Sequence, residues 1–197
     1  MIKHIRPAIM LTILFVIVTG IIYPGIVTAI AQVVFPHQAN GSLVYSNGKP
    51  IGSELIGQYW TSPTYFHGRP SATSNPSNGQ SSPYEADNST ASNLGSTNAK
   101  LIGNVTNYAD QFRKDNDLSP NTPLPSDIVT TSASGLDPDI SPEAAYLQAP
   151  RVARIRHLDV NRVKQLVTDH IGGRFLGIFG EPHVNVLDLN LALDQLK

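Results

Sequence analysis

The sequence predicts a mixed α+β extracytoplasmic domain anchored by one N-terminal transmembrane helix. Three observations predict it. No charged residue occurs from Ala8 to Phe35. Beyond that run, helix-like and strand-like patterns alternate in short segments. Between them lie turn-formers, with 15 Gly and 15 Pro in 197 residues.

The charge-free run is long enough to span a bilayer, which takes roughly 20 apolar residues. As a helix it extends about 42 Å, enough to cross with tilt or a kink. Pro24-Gly25 marks the kink site, because Pro24 lacks a backbone donor. Thr12, Thr19 and Thr28 can bond backbone carbonyls or a partner helix. Lys3, His4 and Arg6 precede the run, and the first acidic residue is Glu54. By the positive-inside rule, residues 1–7 are cytoplasmic, 8–35 cross the membrane and 36–197 lie outside. Ala29-Ile30-Ala31 has the small-x-small look of a signal-peptidase site. However, a signal peptide carries an apolar core of only about 7–15 residues, so a retained anchor is expected. The chain has no Cys, as suits a domain that faces an oxidising space without disulfides.

The outer elements follow in order. Ser42 to Tyr45 reads as a short strand, and Ser46-Asn47-Gly48-Lys49 carries the Asn-Gly hairpin signal. Ile51 to Gln58 is the second strand candidate. Tyr59, Trp60, Tyr65 and Phe66 form an aromatic patch of the core, or a contact site if exposed. Residues 67–98, rich in Gly, Pro, Ser, Asn and Thr, read as a long loop. Leu101, Ile102, Val105, Tyr108, Ala109 and Phe112 recur at helical spacing between Asn98 and Asp117. A Pro-rich connector leads to a β-like run, Asp127 to Thr130, and a turn at Asp137-Pro138-Asp139. Ser141, Pro142 and Glu143 open a helix that Pro150 limits or kinks. Asp159 caps the next helix, whose stripe is Val160, Val163, Leu166, Val167 and Ile171, with Gly172-Gly173 ending it. Val184 to Leu193 closes the chain as a strand or strand–helix.

The chemistry is as informative for what it lacks. The 14 basic and 15 acidic residues nearly balance, which argues against a general nucleic-acid binder. Charged residues make up 15 %, against about 25 % in an ordinary soluble domain. No Walker A loop, His-Glu-x-x-His helix or Gly-x-Ser-x-Gly elbow occurs. His157, His170 and His183 stand 13 apart, which is no ligand spacing, so neither catalytic nor metal-binding residues are expected. Arg151, Arg154, Arg156, His157, Arg162, Lys164 and Arg174 make the main basic concentration. It is a solvated helix face paired with Asp159 and Asp169, or a docking face for an acidic partner. Asn40-Gly-Ser, Asn88-Ser-Thr and Asn104-Val-Thr are sequons, easily met by chance in so Asn- and Ser-rich a chain. This composition suits an accessory subunit; the competing reading is a membrane-anchored exported hydrolase unrelated to transport.

Five blocks resemble the KdpC family, the C subunit of the potassium-transporting Kdp P-type ATPase. Residues 134–153 read Ser-Gly-Leu-Asp-Pro-Asp-Ile-Ser-Pro-Glu-Ala-Ala-Tyr-Leu-Gln-Ala-Pro-Arg-Val-Ala. Residues 52–58 (Gly-Ser-Glu-Leu-Ile-Gly-Gln), 66–71 (Phe-His-Gly-Arg-Pro-Ser) and 91–98 (Ala-Ser-Asn-Leu-Gly-Ser-Thr-Asn) add to it. The last block, 177–192, reads Gly-Ile-Phe-Gly-Glu-Pro-His-Val-Asn-Val-Leu-Asp-Leu-Asn-Leu-Ala. The blocks keep the family's order and cover nearly the whole chain. Departures are Ser96 where the pattern has Pro, Asp139 where it has His, and His183 where it has Arg.

The resemblance implies a single-pass cell-membrane subunit that works with a channel-like potassium-binding subunit, a P-type ATPase subunit and membrane lipid. ATP is then held by the ATPase subunit and potassium by the channel subunit. The family role it implies is to stabilise the assembly and support ATP binding by the ATPase subunit. It also singles out Ser134, Asp137, Gln148, Pro150 and Arg151, with Asn93 and Asn98 on the polar loop; turn and helix-cap architecture is the competing account of these residues. Gln148 is the candidate for a nucleotide-linked effect, and its truncation is expected to leave the fold intact.

Overall fold

A computed structural model describes residues 2–46 and 48–196. Internal contacts divide the chain into Met1–Ile51 and Gly52–Lys197, and each unit is described by itself.

In the first unit a 3-10 turn, Ile2–His4, leads into one continuous apolar helix, Ile5–Val34. It consists of α1 (Ile5–Ile17), a π turn (Val18–Ile22) and α2 (Tyr23–Val34). None of its residues is buried, so its whole surface is available to lipid. The π turn has a local cause. Pro24 has no N–H, and in a regular helix its ring presses on the carbonyl four residues back. The backbone widens just ahead of it, and the Tyr23 N–H reaches five residues back to Val18 O. At the kink site expected at Pro24-Gly25 the helix runs on, with this π turn just ahead of the proline. The Thr12 hydroxyl donates to Ala8 O at 2.9 Å and the Thr19 hydroxyl to Phe15 O at 2.6 Å, so both are satisfied within the helix.

After Phe35 come a short helix, α3 (Pro36–Ala39), and two strands, β1 (Leu43–Ser46) and β2 (Lys49–Ser53), paired as a two-stranded sheet. Gly48 takes a φ of +75°, as a tight turn requires. Asn47 lies outside the described residues. The second strand ends earlier than Gln58, because Ser53 Oγ accepts the Leu55 N–H at 3.2 Å and bends the chain away.

The second unit contains α4 (Ala99–Asp115), α5 (Ser126–Val129), β3 (Asp139–Ile140) and α6 (Pro142–Arg156). It continues with α7 (Val160–Asp169), β4 (Ile171–Gly172), β5 (His183–Asn185) and α8 (Val186–Gln195). β5 lies between β3 and β4, antiparallel to both, with Val184 opposite Ile140 and Ile171. Phe66, Ile140, Val152, Val163, Val167, Val184, Leu189 and Leu193 make the buried core.

Helix α6 is the centre of this unit. Ser141 caps it by accepting the Ala144 N–H at 3.2 Å. Asp127 in turn accepts the Ser141 N–H at 2.7 Å and its hydroxyl at 3.1 Å. Its buried face is largely Ala144, Ala145, Ala149 and Ala153, small enough for neighbours to approach closely. Pro150 does not end the helix, which runs on to Arg156. The proline sits on the solvent side, where water can take over the bond its missing N–H leaves. The end is a Schellman turn: His157 takes φ 58° and the Leu158 N–H reaches Ala153 O at 2.9 Å.

Two further sequence expectations change. In place of the strand expected from Asp127 to Thr130 there is a single helical turn, Ser126–Val129, with buried Ile128 as its core contact. That turn is what presents the Asp127 carboxylate to the α6 cap. The helix capped by Asp159 stops at Asp169, and Ile171-Gly172 becomes β4 because Ile171 pairs with Val184. The closing segment is the strand–helix alternative, β5 followed by α8.

Ser141→Ala removes the cap and orphans one side of the Asp127 bridge. It is expected to lower unfolding stability by roughly 1–2 kcal/mol, read by urea or thermal denaturation of the detergent-solubilised chain.

Candidate functional site

Of the residues singled out by sequence, Gln148, Arg151 and Asp137 meet one irregular segment, 63–69. This segment makes no strand, so its backbone needs partners from elsewhere. Five consecutive carbonyls find them on α6 and α8. The buried Arg151 guanidinium donates to Pro63 O and, at 3.0 Å, to Tyr65 O. Arg156 Nε donates to Thr64 O at 2.7 Å. Asn190 donates to Phe66 O at 3.0 Å and accepts the Phe66 N–H at 2.9 Å. Gln148 does the same to the next residue, donating to His67 O at 3.0 Å and accepting the His67 N–H at 2.8 Å. Each of these two amides replaces a neighbouring strand.

Gln148 is fully buried and Arg151 is 2 % exposed. Gln148 Oε1 also accepts from Arg151 Nη2 at 2.9 Å, and Arg151 Nε donates to Asn116 Oδ1 at 2.9 Å. The guanidinium thus spends its donors on neutral oxygens. Burial pulls its pKa down to about 10, with the Asp115 charge opposing, and it stays charged at neutral pH. At the rim Arg156 binds Asp194 at 2.7 Å, and its guanidinium lies 4.6 Å from the Tyr65 ring centre. The Tyr65 hydroxyl donates to Asp194 at 3.0 Å. Trp60 packs on Tyr65 with ring centres 4.8 Å apart, while Tyr59 is exposed and stacks on Tyr84 at 6.4 Å.

Beyond His67 the chain locks onto the 132–139 turn. Arg69 pairs with Asp137 at 2.6 Å, and Asp137 also accepts the Asp139 N–H at 3.1 Å. Ser71 Oγ donates to Gly135 O at 2.7 Å, and Ser134 O accepts the Thr90 N–H and the Ser89 hydroxyl at 3.0 Å each. Ser134 Oγ accepts the Leu136 N–H at 3.1 Å. Gly135 takes φ +70°, and a Cβ there would stand 2.6 Å from Thr73 Cγ2 and 2.7 Å from Thr90 O. The long polar loop is therefore tied down by its own short side chains. The Tyr84 hydroxyl donates to Arg69 O at 2.9 Å, and burial, reinforced by Asp137, holds it neutral.

The structure brings Gln148 and Arg151 into one network and places Ser134 and Asp137 in the adjoining turn. Asn98 is the cap of α4, accepting the Lys100 N–H at 2.8 Å. Asn93 adopts φ 51° and donates to Ala91 O at 3.4 Å. The basic residues do not share a face. Arg151 is buried, while Arg154, Arg156 and Arg174 pair with Asp117, Asp194 and Glu181. Asp159 is a cap and Asp169 accepts from Gln165. The sequence reading gives Asn190, Arg156 and Arg69 no such role, although the motif blocks contain Asn190 and Arg69 and the basic concentration contains Arg156. Asn190 had a signal: it falls on the stripe Val186, Leu189, Asn190, Leu193, where an apolar residue is the rule. Among the described residues, no group of three or more His, Asp or Glu is placed to hold a metal ion.

The expectation that Gln148 can be truncated harmlessly is overturned by this geometry. Gln148→Ala strands the His67 N–H, the His67 carbonyl and one Arg151 donor, and leaves a void. A loss of about 2–5 kcal/mol is expected in denaturant unfolding, far above that of an exposed control such as Gln165→Ala.

His67 adds a pH dependence. Its ring nitrogen Nε2 lies 2.9 Å from Ser62 O, and burial lowers its pKa below 6.5. The unfolded chain therefore takes up this proton first. Stability is full above pH 6.5 and falls as the pH drops through the lowered value. His67→Gln is expected to flatten that part of the stability–pH curve relative to the unsubstituted chain.

With this geometry in place, comparison with known proteins is direct. The family model described as "KdpC: K+-transporting ATPase, c chain" matches residues 5–195. A potassium-transporting ATPase KdpC subunit from Rhodopseudomonas palustris (strain BisB18) is 54 % identical, with all of both chains covered. One from Methylobacterium nodulans is 50 % identical over all of this chain and 98 % of its own. A third, from Gemmatimonas aurantiaca, is 48 % identical over all of this chain and 95 % of its own. The match runs through the apolar helix, the clamped segment and α8 alike, and the chain belongs to the KdpC family of potassium-transporting ATPase subunits.

Proposed function

We propose that this chain is a non-catalytic accessory subunit that stabilises a potassium-uptake complex and supports ATP binding by its ATPase subunit. Its partners are the channel-like potassium-binding subunit and the P-type ATPase subunit. Those partners, not this chain, hold potassium and ATP. The observation that carries this reading is the inward aim of the motif: Gln148 and Arg151 face the core and clamp the 63–67 backbone. A fully buried Gln148 acts on a nucleotide through the shape it gives this segment, as a positioning residue.

The basic flank of the apolar helix supports a cytoplasmic side for residues 1–7 and an outside one for the second unit; in this reading the second unit lies over the potassium entrance of the channel subunit. The ATP-linked effect is then transmitted through the span and through assembly. A small acidic excess on the outer unit raises the local cation concentration modestly.

Cysteines introduced at Lys3 and Ser77 are expected to label from opposite sides of the membrane, Ser77→Cys without permeabilisation. Labelling of Ser77→Cys only after permeabilisation overturns the outside placement. Omitting the chain from co-expression with the other two subunits is expected to lower complex yield and apparent ATP affinity; if both stay unchanged, the accessory role fails.

A further inference from the structure

Between β4 and β5 the chain makes a tight turn that contributes little to the core. Arg174 and Glu181 close its base with an ion pair at 2.6 Å. The Phe175 N–H donates to Phe179 O at 2.8 Å, and the Phe179 N–H donates to Phe175 O at 3.0 Å. Leu176 and Gly177 both take positive φ, 53° and 74°, which reverses the chain within a few residues. The result is a closed tip with its side chains thrown outward. Phe175, Leu176, Ile178 and Phe179 are 71, 74, 73 and 62 % exposed. Joining two short strands does not need four large apolar residues; a polar hairpin would do. Such a patch on an outer domain marks a contact surface.

Charge complementarity says what covers it. The turn stands over an open groove of about 700 Å³. Phe175 and Phe179 form one wall, and Asp127, Asp137 and Asp139 lie among the other lining residues, with Glu181 at the turn's own end. Arg69 and His183 also line the groove; Arg69 pairs with Asp137 and Arg174 with Glu181, each pair cancelling its own charge, so the acidic excess rests on Asp127 and Asp139. An anionic bilayer surface would meet these carboxylates unfavourably, and a second copy would bring the same sign of charge to its own groove. A segment with apolar side chains and a Lys or Arg satisfies both walls, the cation sitting near the carboxylates and against the aromatic faces.

We infer that the 174–181 turn and the acidic groove beneath it dock an extracytoplasmic segment of a partner membrane subunit, one that combines apolar side chains with a Lys or Arg. This rests on the accessory-subunit reading and names the chemistry of its partner. The test uses the full chain, co-expressed with the channel-like and ATPase subunits, with a photo-cross-linking p-benzoylphenylalanine at position 176. The cross-link is expected on an extracytoplasmic partner segment that carries Lys or Arg. The double variant Leu176→Ser/Phe179→Ser is expected to lower recovered complex by about tenfold or more, the scale of an interface anchor. Its circular dichroism should stay unchanged, because both substituted side chains are exposed. A cross-link to lipid or to a second copy overturns the inference, and so does undiminished recovery of the double variant. If the unsubstituted chain is itself not recovered with these subunits, the accessory reading fails and the inference falls with it.

Discussion

The second unit depends on one constraint: an irregular segment must satisfy its partly buried backbone without a strand beside it. Five successive carbonyls, Pro63 to His67, accept hydrogen bonds from Arg151, Arg156, Asn190 and Gln148. Leaving a buried polar group unpaired costs roughly 1–3 kcal/mol. That full cost applies to Phe66, which is buried, and a smaller one to the half-buried neighbours. Against the roughly 5–15 kcal/mol that separates a folded domain from its unfolded chain, the clamp is still a large contribution. It also explains why α6 carries Gln148 and Arg151 on a face otherwise made of Ala and Val.

Other features follow from holding that segment in place. The small α6 residues let neighbours come close enough for side chains to reach the 63–67 backbone. Phe66 enters the core because both its backbone groups are met by Asn190. Arg69 is then delivered to Asp137, and the Gly135 turn packs against Thr73 and Thr90 with no room for a Cβ. The polar side chains of the motif are consumed inside this network, whereas the 174–181 turn directs apolar side chains outward.

Features governed by a few adjacent residues were legible in the sequence. Asn98, Ser141 and Asp159 cap helices as their local patterns predict, since a cap needs only one side chain and the next N–H groups. Pro24 marked a site of helix irregularity, but a π turn ahead of it within a continuous helix was not readable. Misreadings arose where a distant partner decides. Asp127 to Thr130 has β-like residues, but Asp127 is needed at Ser141, and a helical turn supplies it. Ile171 continues a helical stripe, yet pairing with Val184 takes it into a strand. The cluster of arginines looked like one face, but their partners lie on separate segments of the outer unit.

By itself the sequence determined the membrane helix, the helix starts and the family. A charge-free run, a capping residue and ordered motif blocks are all local, and locality is what a linear chain displays. Only the tertiary structure decided that Gln148 and Arg151 serve the backbone of residues 63–67, more than 80 positions away along the chain. The physical reason is that a buried amide or guanidinium is defined by the groups it must satisfy. Those groups belong to a segment with no regular structure of its own, so no periodicity along the sequence points to them.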